Sequence, residues 1–305
     1  MSETPVTPIS ETEEPSSSER LRSAAGVDPN AETVMVTKRG GSLLVPDVVL
    51  SCGQYTNVGQ KRKQNQDSLL TIQAVRVNLS QSIPLGLFVV ADGMGGHAAG
   101  EVASGLVVST LARRSQSLFQ LFADGVLTDN EIDAWIRTAV EAANRAVMDE
   151  RAAKGTDMGS TLVLVVIGDT TAHIAHVGDS RAYRESLDGE LERLTVDHSL
   201  VEQLVLAKQI TPAQARTHKR RNIVYRTMGE KENIDIEVRT VDLSPGDRIL
   251  LCSDGLNSMI EDAHIAAIVH ESPSLMDAAR RLVDAANQAG GEDNITAVVA
   301  EIAPL

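Results

Sequence analysis

Short apolar runs alternate with polar turns over most of the chain, and their period sets the elements. Residues 50–58 and 68–77 read as strands. Residues 85–91 form a continuous apolar run of strand length, the pattern of a strand buried on both faces. Two stretches with helical spacing follow, 98–114 and 130–153. Asp129 is placed as the N-cap of the second and Gly155 lies just past its end. Residues 161–167 and 172–177 predict a hairpin turning at Gly168-Asp169. Residues 181–185 and 190–194 predict another, turning at Asp188-Gly189. Short helices are expected at 199–208 and from Thr211-Pro212 onward. Strands at 234–241 and 248–252 flank a Pro245-Gly246 turn; helices at 261–269 and 274–289 and a strand at 294–302 complete the chain. Strands and helices are clustered, not strictly alternating. That order favours an α+β layering over a doubly wound parallel sheet.

Residues 1–48 have a different texture. Ser, Thr, Pro and Glu dominate the first part, and such a segment buries too little apolar surface to offset its ordering entropy. It reads as a disordered tail, with Thr33 and Thr37 as candidate phosphoacceptors of a regulatory arm; a catalytic domain is expected over 49–305. The formal charge of −14 argues against non-specific nucleic-acid binding. It also means that an anionic substrate needs local positive charge. Cys52 and Cys252 lie in apolar strands and read as buried free thiols, with no disulfide framework or zinc spacing. No apolar run is long enough for a membrane span, and the N-terminus has no secretory pattern, so a cytoplasmic protein is expected.

The chemistry gathers at strand ends. Asp92 in FVVADGMGG, Asp179 in IAHVGDSRA, Asp254 in ILLCSDGLN and Asp293 in GEDNITAVV each follow or precede an apolar run at a tight turn. Packed together, such carboxylates repel and raise one another's pKa. A divalent cation that prefers oxygen ligands removes the penalty, so a shared Mg²⁺ or Mn²⁺ site is expected. Gly93 can offer its backbone carbonyl because it has no side chain. The same stretch satisfies G-x-G-x-x-A through Gly93, Gly95 and Ala98, the dinucleotide-binding pattern. Against that reading, Asp92 stands at the mouth of the loop, and Arg113 and Arg114 stand where the ribose-binding acid belongs. In VGQKRKQNQDS, Asp67 adds another carboxylate and Arg62 a rigid guanidinium suited to phosphate oxygens.

R-x-x-N-Q-D at 62–67, DGMGGHAAGE at 92–101, MGST at 158–161, VGDSRAY at 177–183, LCSDGL and EDNIT, in this order, resemble the metal-dependent protein phosphatases of the 2C type, in their bacterial Ser/Thr phosphatase branch. The resemblance spans roughly residues 51–302. It implies a four-layer α-β-β-α sandwich of two antiparallel sheets flanked by helix pairs. It implies phosphoserine and phosphothreonine hydrolysis by a hydroxide bridging two Mn²⁺ or Mg²⁺ ions, without a phosphoenzyme. By motif matching Asp92 bridges both ions, Asp254 and Asp293 complete one shell, and Asp67 and the Gly93 carbonyl belong to the other. Asp179 with Asp254 matches a third, weaker site, Arg62 holds the substrate phosphate, and residues 195–229 form a flap; its polar, Lys- and Arg-bearing run 218–221 is itself expected to tune substrate choice. Implied partners are phosphoproteins, including a bacterial-type Ser/Thr kinase. A non-catalytic phosphoprotein binder of the same fold is the rival, and intact aspartates count against it. Some positions depart from the family. Met94 replaces a His assigned as general acid in many eukaryotic relatives, and His97 nearby is expected to be structural. Gln66 replaces Glu, Asp157 stands at a frequent Gly, and Lys219 follows His218 where Pro is common.

Overall fold

The computed structural model describes residues 1, 48–79, 81–96 and 99–305. The N-terminal tail with Thr33 and Thr37, and His97, lie outside the described residues.

Two antiparallel sheets form the centre. Sheet I has the order β1-β11-β10-β7-β8, from β1 (Val48–Asn57), β11 (Ile295–Pro304), β10 (Arg248–Cys252), β7 (Arg181–Glu185) and β8 (Leu191–Arg193). Sheet II has the order β2-β3-β5-β6-β9, from β2 (Asp67–Asn78), β3 (Gln81–Met94), β5 (Leu162–Gly168), β6 (Thr171–Val177) and β9 (Val238–Asp242), with β4 (Gly159–Ser160) pairing the end of β3. The helices are α1 (Ala99–Ala123), α2 (Asp129–Lys154), α3 (Leu200–Leu206), α4 (Pro212–Arg216), α5 (Asp254–Asn257), α6 (Asp262–Glu271) and α7 (Leu275–Gln288).

Alternate residues of the central strands enter different cores, which shows the layers. Leu85, Leu87 and Val89 of β3, with Leu162 and Leu164 of β5, pack against α1 and α2. Their neighbours Phe88, Val90, Val163 and Val165 face Ile249, Leu251, Val298 and Ala300 of sheet I. The other side of sheet I, through Leu250, Cys252 and Val299, packs on Ile265 of α6 and Leu282 of α7. The result is the expected α-β-β-α sandwich. Central strands buried on both faces lose their polar alternation, which is why they read as apolar runs.

Several boundaries differ from expectation. Helix α1 runs on to Ala123 because buried Leu118 and Phe122 continue the stripe of Val107 and Leu111. The N-cap of α2 is Thr128, not Asp129. The Thr128 hydroxyl accepts from the Glu131 N–H and the Glu131 carboxylate accepts from the Thr128 N–H, a reciprocal box that leaves Asp129 in the first turn. Gly155 is the left-handed C-cap, as expected. β9 begins at Val238, since the Ile236 carbonyl is held by Arg137 of α2 at 2.7 Å. The Pro245-Gly246 turn carries the chain from sheet II to sheet I and closes no hairpin. Cys252 is buried but Cys52, on edge strand β1, is only half-buried. No helix among the described residues is long and apolar enough to cross a membrane.

Antiparallel register brings the important strand ends together. Asp67 opens β2 opposite Asp92 near the end of β3. In sheet I the end of β10 at Cys252 lies opposite Ala297 of β11 and opposite Arg181, which opens β7. The turn at 178–180 joins β6 to β7, and so ties this end of sheet II to the same end of sheet I.

Candidate metal centre

Asp67, Asp92, Asp179, Asp254 and Asp293 all stand at this shared sheet end, where their charges act on one another. Burial raises the Asp92 carboxyl well above its ordinary value, and the charges of Asp67, Asp254, Asp179 and Asp293 raise it further. Burial pushes Asp67 up to about 7, with Asp254 and Asp293 adding to the effect against hydrogen bonds that lower it. Asp254 is pushed up to about 6 by burial first and then by Asp293. Asp179 is raised by burial, then by Asp254 and Asp197. These carboxylates are held against their own repulsion, as expected of a site built for cations.

Each is aimed by backbone pinned from a distance. The Asp92 N–H donates to the Thr161 hydroxyl at 3.0 Å, and its carbonyl accepts from the Thr161 N–H at 2.8 Å and the Ser160 hydroxyl at 3.1 Å. Thr161 also shares a 2.7 Å hydroxyl contact with Ser180, next to Asp179. The Asp179 turn is closed by His198, whose Nδ1 accepts from the Gly178 N–H at 3.0 Å while its own N–H donates to the Gly178 carbonyl at 2.9 Å. Ser253 and Thr296 donate to the same Asp67 oxygen, Oδ2, each at 2.7 Å. The other oxygen, Oδ1, is buried and has no hydrogen-bond partner. A buried carboxylate oxygen left this way is costly unless a ligand meets it.

Gly93 is confined by contact, not by torsion. Its N–H donates to the Gln66 carbonyl at 3.1 Å, and a methyl group here would lie 2.0 Å from the Gly100 carbonyl oxygen. That obstacle is backbone at the start of α1, so no side-chain rotation relieves it. Gly93→Ala is expected to force β3 and α1 apart and to lower kcat at least about 100-fold, the scale of a 1 Å misplacement in a catalytic site. Steady-state kinetics with saturating Mn²⁺ checks this.

Asn294 is the residue whose importance the sequence reading missed. Its amide donates to the carbonyls of Val58 and Gln64, each at 2.9 Å, and its Oδ1 accepts from the Gln66 N–H at 2.7 Å. One buried side chain thus fastens the 58–66 loop, which carries Arg62, beside Asp293. Arg62 itself pairs with Asp293 at 2.6 Å, so it reaches the site but is engaged by a carboxylate there. A cavity of about 310 Å³ opens over this edge, lined by Arg62, Asp179, Asp254 and Asp293 and by Val201, Val205 and other residues of α3 and α4.

The donors suit a hard divalent cation: all oxygen, mutually repulsive, one of them orphaned. Among the described residues no group of three or more His, Cys, Asp and Glu side chains is placed to hold one metal ion between them. Mg²⁺-like ions need none, because they keep several waters and take one or two carboxylates. Cys252 is no nucleophile: burial raises its thiol far above the usual range, and it packs in the core behind sheet I.

The protein phosphatase 2C family model matches residues 59–299. The chain belongs to the protein phosphatase 2C family. It is 39% identical over 246 residues to the protein phosphatase PhpP of Streptococcus pneumoniae, covering 79% of this chain and 93% of that protein. Among solved structures it is similar to the serine/threonine phosphatase PstP/Ppp of Mycobacterium tuberculosis, with a TM-score of 0.70 at 33% identity over 83% of this chain and 99% of that one. A structure of the PstP catalytic domain in complex with two manganese ions matches with a TM-score of 0.69 at 32% identity, over 84% of this chain and 99% of that one.

Proposed function

We propose that this protein is a metal-dependent protein Ser/Thr phosphatase, acting on phosphoserine and phosphothreonine in proteins through a Mn²⁺- or Mg²⁺-loaded centre. The observation that carries the reading is the convergence of five repelling carboxylates and Arg62 at one sheet end, in a chain of the 2C family. Asp92 and Asp254 would hold the cations with Asp293, Asp67 and the Gly93 carbonyl, and Asp179 a third, weaker ion. Bound there, such ions supply charge neutralisation at phosphorus and an acidified water as nucleophile. The remaining work falls to the chain. Arg62 offers a forked donor to the phosphoryl oxygens, and it and the cations compete for the same Asp293 carboxylate. Met94, paired with Gly159 at the end of β3, has no proton to give, so the departing serine or threonine oxygen takes its proton from a group other than Met94. Two hydroxyl donors orient Asp67 through its Oδ2, and their hydrogen bonds oppose the burial that raises this carboxyl.

The catalytic domain in this proposal is residues 49–305, in a cytoplasmic protein whose substrates include a partner bacterial-type Ser/Thr kinase. The test is hydrolysis of a phosphothreonine peptide with Mn²⁺, with and without chelator. Turnover that needs the metal and stops on chelation is expected; turnover that persists in chelator sinks the proposal. A nicotinamide absorbance on the purified protein would instead revive the dinucleotide reading.

A further inference from the structure

The short helices α3 and α4 border two spaces. Val201 and Val205 of α3 and Arg216 of α4 face the catalytic cavity. A neighbouring side of the same pair lines a second groove of about 600 Å³, walled by Leu200, Leu204, Gln214 and Thr217 and edged by His218, Lys219 and Arg220. The two spaces therefore share one helix pair.

The cations at this edge differ from those beside them. Arg216 lies 3.8 Å from Asp262 and Arg221 is held by Glu292 at 2.6 Å. Lys219 and Arg220, between them and exposed, make no ion pair with any carboxylate among the described residues. His218 turns the chain there, its Nδ1 accepting from the Arg220 N–H at 3.1 Å, so the two cationic side chains are carried on a tight turn above the leucines. In a chain of net charge −14, a groove that sets two leucines beside an unpaired cationic edge runs against the overall charge.

We propose that this groove docks an acidic segment of the phosphoprotein substrate, outside the residues that enter the catalytic cavity; the proposal rests on the phosphatase reading above. Charge complementarity names the occupant: Asp or Glu side chains against Lys219 and Arg220, with an aliphatic residue over Leu200 and Leu204. A helix with its side chains is about 10 Å across and an extended chain advances about 3.3 Å per residue, so the acidic segment stands about three or more residues from the phosphorylated one.

The experiment uses the full chain with Mn²⁺ and three substrates: p-nitrophenyl phosphate, a phosphothreonine peptide with a neutral flank, and the same peptide with an acidic, leucine-containing flank six residues away. The variant is K219E/R220E, and R113E/R114E on α1 is the charge-matched control. The expected result is a fall of about 10-fold in kcat/KM for the acidic peptide alone, carried by KM and shrinking as salt is raised. Neutral peptide and p-nitrophenyl phosphate stay unchanged in K219E/R220E, and all three substrates stay unchanged in the control. An equal loss on both peptides, no loss on either, or an equal loss in the control overturns the proposal. So does binding to phosphatidylserine vesicles that disappears in K219E/R220E while peptide kinetics stay the same, which would make the groove a lipid site. If wild-type protein with Mn²⁺ hydrolyses none of the three, the phosphatase reading itself has failed and the docking proposal falls with it; hydrolysis without peptide discrimination rejects the groove alone.

Discussion

Asp92→Asn is expected to abolish metal-dependent turnover, by at least about 10³-fold, and at the same time to make the metal-free protein more stable. The two effects have one cause. Asp92 is the most crowded carboxylate of the cluster, with Asp67, Asp254, Asp179 and Asp293 all raising it after burial. Without cations, folding must hold that charge against its neighbours; an amide of the same shape removes it. Relief of about 1 kcal/mol raises Tm by roughly 2–4 °C for a domain of this size. With cations the same substitution removes the most central ligand candidate, and the loss of about 4 kcal/mol of transition-state stabilisation corresponds to the three decades in rate. Thermal melts in chelator and in Mn²⁺, alongside kinetics, separate the effects. A variant that melts lower than wild type in chelator contradicts the repulsion argument, and one that retains a tenth of the activity contradicts the ligand role.

Asn294→Ala is expected to lose about 2–3 kcal/mol of stability and about 100-fold in kcat/KM. Three hydrogen bonds at roughly 1 kcal/mol each disappear, and the carbonyls of Val58 and Gln64 and the N–H of Gln66 lose their partner. The kinetic loss follows from geometry. The 58–66 loop carries Arg62, and Asn294 adjoins Asp293, so releasing the loop disturbs both groups of the 2.6 Å pair. Asn294→Asp is a sharper probe: it keeps the acceptor for Gln66 but turns a buried carboxylate oxygen toward the Val58 and Gln64 carbonyls beside Asp293, so it should be at least as destabilising as alanine. Denaturant unfolding and kinetics on the same preparations check this. A stability change under about 0.5 kcal/mol would mean that the loop is positioned by something else.

Much of this molecule was legible from periodicity and turn chemistry. The hairpin at Asp188-Gly189, the helix start at Thr211-Pro212 and the cap at Gly155 follow from local rules, and they stand where expected; Ser199 and Ser274, expected as first helical residues, are N-caps instead. Where local rules misled, tertiary packing decided. Helix α1 continues because Leu118 and Phe122 find a core, and the Pro245-Gly246 turn changes sheets because β9 pairs with β6. The aspartates were visible because each interrupts an apolar strand with a charge. Their supports were not. Asn294 and Val58 are 236 residues apart, and Ser253 reaches Asp67 across 186. No local pattern encodes such pairs; they exist only once both sheets are in register. The Arg62–Asp293 pair was hidden for the same reason, although both residues had been singled out.

Titration of the chelator-stripped protein with Mn²⁺ in a calorimeter tests the central claim most directly. The carboxylate cluster predicts two ions bound per chain in the tighter phase, with any third ion weaker, and loss of that phase in Asp92→Asn. A single bound ion, no saturable heat, or an isotherm unchanged by Asp92→Asn would contradict it.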